Sequence, residues 1–499
     1  MDRNYFRIKS IDSILKSTED SGGGKLVRAL GSFDVVMLGI GAIIGAGIFA
    51  TIGTAAAGDA ARPGAGPALM LSFVLTGVAC GFSALCYAEF AAMVPISGSA
   101  YTYSYASLGE IVAWIIGWDL IIEYAVGNIA VAISWANYFK TFVAGFGIHI
   151  PAWISTDYQT ATKIPGLMAH APHLFGIPIV FNFLAFLIVA LITIVLVVGV
   201  RKSARFNSAM VILKLIVLAI FVLVGFNYVQ PDNWTPFAPN GWAGIQAGAA
   251  IVFFAYIGFD AVSTVAEEVK NPKRDMPIGI IGSLIICTII YIVVAAVFTG
   301  IIPYSALVKT LSTSQAEPLT LALQYADIHQ WGNFIIGIVA FGAVIAHTAV
   351  LLVFQMGQPR IFFSMSRDGL LPKSFSKVHP KYHTPHVTTI LTGVVVGVTA
   401  MFTTISEMVD LTNIGTLFAF ILVCAGIIIL RIKDPDRERG FRTPWVPLVP
   451  VLGIVSCFYL MFGLPWITWL RFGIWLIVGL VIYFFYGYRK SKLRTSSEQ

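Results

Sequence analysis

The chain alternates long apolar blocks with short polar ones. Twelve blocks approach the roughly 20 residues that a helix needs to cross a bilayer. They begin near residues 32, 66, 110, 178, 208, 245, 278, 333, 387, 411, 446 and 470. The eleventh and twelfth are the least distinct pair, separated only by Pro465 to Arg471. The polar segments are short, and none is large enough for a soluble domain. The longest outer connection, about Gly145 to Pro178, contains four prolines. The longest inner one, Gly357 to Pro385, is read as carrying an interfacial helix in QPRIFFSMSRDGLLPKSF.

Two blocks are irregular inside. The first, Ser32 to Ala57, holds GIGAIIGAGIF, and five glycines fall between Gly39 and Gly53. The sixth holds FFAYIGFDAVS, Phe253 to Ser263, with Gly258 beside Asp260. Lipid does not satisfy free backbone groups, so irregular backbone at this depth faces protein or a water-filled cavity. Interrupted helices at corresponding places in two halves of a chain point to a transporter's substrate site. Blocks one to five and six to ten would then form two repeats of opposite topology, because five is odd.

Composition agrees with the pattern. Of 499 residues 57% are hydrophobic and 11% charged, with mean hydropathy +0.83; a soluble chain carries about a quarter charged residues. The first 28 residues are polar and contain no apolar core of a signal peptide. Tyr5 to Lys16 reads either as a short amphipathic surface helix or as a disordered tail.

The isoelectric point near 9.0 raises the question of nucleic acid, and the charge distribution answers it. With both termini inside, 26 of the 32 Lys and Arg fall in cytoplasmic segments. Arg62, Lys140, Lys163, Lys309 and Arg471 fall outside, and Lys214 lies within a span. This asymmetry is the positive-inside pattern, with an even helix count and cytoplasmic termini. The five cysteines all lie in apolar blocks without metal-ligand spacing.

The chemistry concentrates in a few residues. In the first break, Ile43 to Gly47, amides at the start of a half-helix suit a carboxylate. Carbonyls ending the preceding half suit an ammonium or cation. A zwitterion needs both. Glycine-mediated helix packing is the competing reading, since Gly41 and Gly45 have small-xxx-small spacing. Asp260 either faces a cavity or bonds freed amides of the second break. Asp119 and Glu123 share one helix face at i, i+4; Glu123 either attracts a substrate ammonium, carries a proton or bonds a neighbouring helix. Glu89 is read as structural.

Lys214 sits about two turns into the fifth block. It either snorkels to the interface or lies buried beside the first break, where it could lose and regain a proton or its charge could replace a bound metal ion. His347, inside the eighth block, reads either as a satisfied core histidine or as a proton relay. His379, His383 and His386 alternate with prolines in a basic loop and are not read as metal ligands.

Several strings resemble the amino acid–polyamine–organocation superfamily, and within it the cationic amino acid transporter family in its bacterial form. They are GIGAIIGAGIF, LCYAEFAAMVPISGSAYTYSYASLGE, GWDLIIEY, FFAYIGFDAVSTVAEEVKNPKRDMPIGI and PRIFFSMSRDGLLP, with similar patterning into DLTNIGTLFAF. The resemblance implies an all-α polytopic membrane protein of twelve transmembrane helices. It also implies a leucine-transporter-type five-plus-five inverted repeat, with helices 1 and 6 discontinuous.

Its parts would be a cytoplasmic segment 1–31, repeats 32–230 and 245–432, accessory helices 446–488 and a tail 489–499. Ile43 would offer a carbonyl to a substrate amino group. Gly45, Ala46 and Gly47 would form the amide side of the break. Phe254, Ala255 and Ile257 would supply backbone contacts and a lid-like aromatic, Phe254. Glu123 and Asp260 match acidic positions near the pocket's outer side. Lys214 matches a lysine associated with proton coupling in place of sodium.

Two departures bear on the substrate. Ala46 stands where relatives often carry Thr or Ser. Phe354 stands where the eighth helix borders the substrate side chain, and a phenyl there narrows the space for arginine or lysine.

The resulting expectation is a plasma-membrane amino acid importer working by alternating access and driven by a proton gradient, with small or medium neutral amino acids favoured. Cationic amino acid uptake, exchange and non-transporting sensing are the alternatives. No phosphate loop of the G-x-x-x-x-G-K-[ST] type occurs, and no nucleophile–base pair or metal cluster supports an enzyme. No cofactor, metal or nucleic acid is expected. The partners are substrate and lipid, and a small single-span subunit is left open.

Overall fold

The computed structural model describes residues 6–11, 28–96, 99–199, 204–311, 317–328, 332–382 and 384–497. Its apolar helices are α1 (Ser32–Ala57), α2 (Gly66–Met93), α3 (Glu110–Ala144), α4 (Phe183–Val198), α5 (Ser208–Phe226), α6 (Gly241–Glu268), α7 (Pro272–Ile301), α8 (Gly332–Arg367), α9 (His386–Ala400), α10 (Ile405–Lys433), α11 (Leu448–Met461) and α12 (Trp466–Lys490). Among the described residues nine are long and apolar enough to cross a membrane, while α4, α9 and α11 are shorter. A small antiparallel pair, His173–Leu174 with Ile177–Pro178, decorates the α3–α4 connection.

The helices pack in a regular order: α2 lies along α7, α3 along α8, α4 along α9, and α1 meets α6 where both are interrupted. At 35 residues and about 1.5 Å per residue, α3 is some 50 Å long. It exceeds the hydrocarbon thickness and so reaches both ends of the bundle.

Three boundaries differ from the sequence reading. The PRIFFSMSR segment is not a separate interfacial helix: α8 runs unbroken to Arg367 with Pro359 inside it. A proline need not end a helix in a packed bundle, because neighbouring groups take over the lost bond. The α11–α12 junction is 462–465, tighter than Pro465 to Arg471. Pro465 is the N-cap of α12, so Arg471 lies on helix and reaches Glu407 at 2.9 Å. Half of the Tyr5 to Lys16 stretch lies outside the described residues. In its described part, Lys9 meets Asp368 at 3.1 Å and Ile11 is buried.

Candidate functional site

α1 is helical from Ser32 to Ile43, extended at Ile44 (φ −75°, ψ 102°) and resumes as a π-helical turn, Gly47–Thr51. α6 tightens into a 3₁₀ turn at Phe253–Tyr256, extends at Ile257, and continues as 3₁₀ helix Ala261–Glu268. Both interruptions expected from sequence are therefore present, and they touch. A Cβ added to Gly47 would overlap the backbone of Ala255. Gly258 has φ +124° and lies against the Ala42 carbonyl, where an added Cβ would sit 2.7 Å from backbone atoms. Only glycine meets both conditions at that point.

The carbonyls freed by the first break are spoken for. The ammonium of Lys214 donates to the Gly41 and Ile44 oxygens at 2.6 and 2.8 Å. The lysine is fully buried, so it does not snorkel. The hydroxyl of Tyr291 on α7 lies 3.0 Å from the Ile43 oxygen and 2.9 Å from the Ala255 oxygen, so one group bridges the two breaks. Tyr291 escaped the sequence reading. The available signal was a tyrosine inside an apolar span, whose hydroxyl needs a partner when buried.

On the amide side, the turn beginning at Gly47 has Ala46 as N-cap and no side-chain cap. The first amides of such a turn lack intrahelical partners. The second half of α1 is fixed from outside: Tyr138 of α3 donates to the Phe49 carbonyl at 2.6 Å. His347 packs on both the Phe49 and Tyr138 rings. Its Nδ1 faces the Ala343 carbonyl at 2.5 Å. A carbonyl only accepts, so Nδ1 is the donor, and in the neutral ring Nε2 accepts from the Ser134 hydroxyl, 2.7 Å away. His347 is a satisfied core histidine.

Ile43, Ala46, Phe254, Ala255, Ile257, Glu123, Asp260 and Phe354 are each at most 5% exposed, and Gly45 and Gly47 are buried too. Val350 of α8 covers Gly45, and one turn on Phe354 lies against Gly127 and the Tyr124 ring of α3.

Glu123 and Asp260 lie on the same side of the breaks. α3 reaches the level of Phe354 at Gly127, and Glu123 precedes it by one turn toward Glu110. Asp260 follows the α6 break toward Val269. Both carboxylates therefore lie on the side of the breaks that carries the basic loops, because chain direction in the two helices places them there. Asp260 Oδ1 accepts the Gly258 amide at 3.1 Å. Asp260 Oδ2, Glu123 Oε2 and both Asp119 oxygens have no hydrogen-bond partner among the described residues.

Contacts tie the chain together at each end of this region. At one, Ala29 and Leu30 amides donate to the Glu268 carbonyl, and the Lys270 amide to Leu30. At the other, Arg62 between α1 and α2 holds Asp410 of α10 at 2.8 Å and Asp59 at 2.6 Å. Burial works to lower the Arg62 pKa, but Asp410 and Asp59 outweigh it and raise it above the ordinary value. Arg62→Ala would leave Asp410 buried without its cation. It is expected to cost about 3–5 kcal/mol, read as a clear drop in melting temperature; an unchanged melting curve would mean the pair carries little.

Glu89 is structural, with Arg431 on both its oxygens at 2.8 and 2.9 Å. The ring of His379 accepts the Lys381 and Tyr382 amides, which makes it a turn residue; His383 lies outside the described residues. No His, Cys, Asp or Glu cluster suited to a metal occurs among the described residues.

The family model described as amino acid permease matches residues 30–485. The chain is 47% identical to the branched-chain amino acid permease BcaP of Bacillus subtilis (strain 168), over 99% of this chain and 100% of that protein. It is 44% identical to the methylthioribose transporter of the same organism, over 98% and 99%. Cationic amino acid transporter 9, chloroplastic, of Arabidopsis thaliana is more distant, at 36% over 88% and 74%. These relatives are transporters and not enzymes.

Proposed function

The chain belongs to the amino acid permease family of the amino acid–polyamine–organocation superfamily, and on that premise we propose a proton-coupled symporter of neutral L-amino acids in the plasma membrane. The observation that carries the reading is the contact of two interrupted helices, with amides on one side and carbonyls on the other.

The substrate carboxylate docks on the uncapped amides around Ala46 and Gly47. Its ammonium shares the Ile43 carbonyl, which has a second lone pair beside the Tyr291 bond. Phe254 and Ile257 cover it from α6. The preference for neutral side chains rests on Val350 and Phe354 walling α8, and it fits a relative named for branched-chain amino acids. Phe354→Ser is expected to let arginine compete where the parent protein excludes it, with inhibition improving by about tenfold. Unchanged competition would place the side-chain pocket elsewhere.

The twelve apolar helices form a five-plus-five inverted repeat with α11 and α12 accessory. Support comes from the packing of helices five apart: 1 on 6, 2 on 7, 3 on 8 and 4 on 9. Helices related by a two-fold axis that lie near it meet their own mates. With cytoplasmic termini, the Leu30–Glu268 contacts close the inner end and Arg62–Asp410 the outer end. Alternating access opens one while the other holds.

Proton coupling runs through Lys214, whose ammonium ties both carbonyls flanking the α1 break. Purified protein in liposomes is expected to take up labelled neutral amino acids faster with an inward proton gradient. Absence of gradient-stimulated uptake across the full amino acid panel would overturn the symporter reading.

A further inference from the structure

The start of α7 carries a feature that substrate transport does not use. Arg274, Ile278, Ile281 and Ile285 follow one another at i, i+4, i+7 and i+11 and so form one outward stripe of the helix. They line an open groove of about 710 Å³ whose opposite wall is Gly440 and Phe441 of the α10–α11 connection. Ile278 and Ile285 are 41% and 53% exposed.

The groove changes character along its length. Its apolar floor belongs to a span-length helix, and its head holds two cations, Lys273 and Arg274. Lys273 pairs with Glu438 at 2.7 Å, but both partners are well exposed, and such a pair adds little. The Arg274 guanidinium makes no hydrogen bond or ion pair among the described residues. Asp275 is turned to Ser32 at 2.5 Å and to the Asn271 amide. Glu438 pairs with Lys273, and among the described residues no carboxylate pairs with Arg274, so that guanidinium is left without a counter-charge in contact.

We propose that this groove binds an anionic phospholipid, with its phosphate at Arg274 and Lys273 and an acyl chain along Ile278, Ile281 and Ile285 beneath Phe441. Charge selects the occupant: a zwitterionic lipid brings its own cation, whereas a singly anionic headgroup neutralises Arg274. Along α7 the charged positions end at Asp275 and the apolar run begins at Met276, the order of groups that a phosphate followed by an acyl chain would need. The same helix carries Tyr291 and, through Asp275, holds the start of α1. An occupied groove therefore steadies the helix against which both breaks are set.

The test is native mass spectrometry of the full-length protein in detergent, titrated with phosphatidylglycerol or phosphatidylcholine, alongside melting curves. The parent protein is expected to bind phosphatidylglycerol about tenfold more tightly. Each basic group near the surface contributes about fivefold, so Arg274→Gln with Lys273→Gln should erase the preference, while Lys377→Gln with Lys381→Gln should keep it.

Ile278→Trp, which fills the groove and spares the charges, should weaken phosphatidylglycerol binding and leave the melting curve in lipid-free detergent unchanged. Equal binding of both lipids, a preference that survives the Arg274 and Lys273 changes, or full competition by millimolar inorganic phosphate would overturn the proposal. So would a tightly held single-span peptide in the groove.

Discussion

Lys214→Ala is expected to abolish the gradient-driven component of uptake and to leave exchange of substrate across the membrane at equal pH. The buried ammonium is the tie between Gly41 and Ile44, the two carbonyls on either side of the point where α1 turns extended. Removing it leaves two buried acceptors without donors, at about 1–3 kcal/mol each. The break then changes its balance between open and closed arrangements without any proton being required. Lys214→Arg separates charge from protonation. Guanidinium is not deprotonated in proteins, so this variant should also fail to respond to the gradient. Driven uptake by the arginine variant at the parent rate would show that Lys214 does not release its proton in the cycle. Parent-like driven uptake by the alanine variant would remove the residue from coupling altogether.

Gly47→Ala is expected to reduce substrate uptake below detection while the protein still inserts and can be purified. A single methyl at this position would occupy the space of the Ala255 backbone. α1 and α6 would have to separate there, and the amides and carbonyls they present would no longer face one zwitterion. Overpacking of this kind costs about 1–3 kcal/mol where the neighbour can give, and here the neighbour is main chain. Gly258→Ala adds backbone strain to a similar clash, since φ is +124°, and should be at least as damaging. Gly39→Ala is a poor comparison because it too is crowded. Gly81→Ala on α2, with no atom within 4 Å of the added carbon, should transport normally. Uptake by Gly47→Ala within a few-fold of the parent would show that the two breaks need not touch.

Much of this was legible from the chain. Hydropathy located the helices because lipid imposes a local condition, about 20 apolar residues in a row. The breaks were visible at GAIIGAG and at Gly258–Phe259–Asp260 because glycine runs and a mid-span carboxylate are themselves anomalies in lipid. Lys214 stood out for the same reason. Position along a helix, by contrast, depends on how far each helix slides against its neighbours. The resemblance placed Glu123 and Asp260 beside the pocket, and only the packed helices show that both lie toward the same end of the bundle. The sequence reading began an inner connection at Gly357, yet α8 continues through Pro359 to Arg367.

The sequence by itself determined that the protein lives in a membrane, where its helices run, and where two of them break. Each follows from the cost of exposing backbone polar groups and charge to hydrocarbon, a cost counted residue by residue. Tertiary structure alone decided what the breaks face. Lys214 finds carbonyls 170 and 173 residues away, Tyr291 joins Ile43 to Ala255 across 248 and 36, and Arg62 reaches Asp410 across 348. Hydrogen bonds and ion pairs of that span are fixed by which helices pack together, and a local pattern of apolar residues carries no record of the partner.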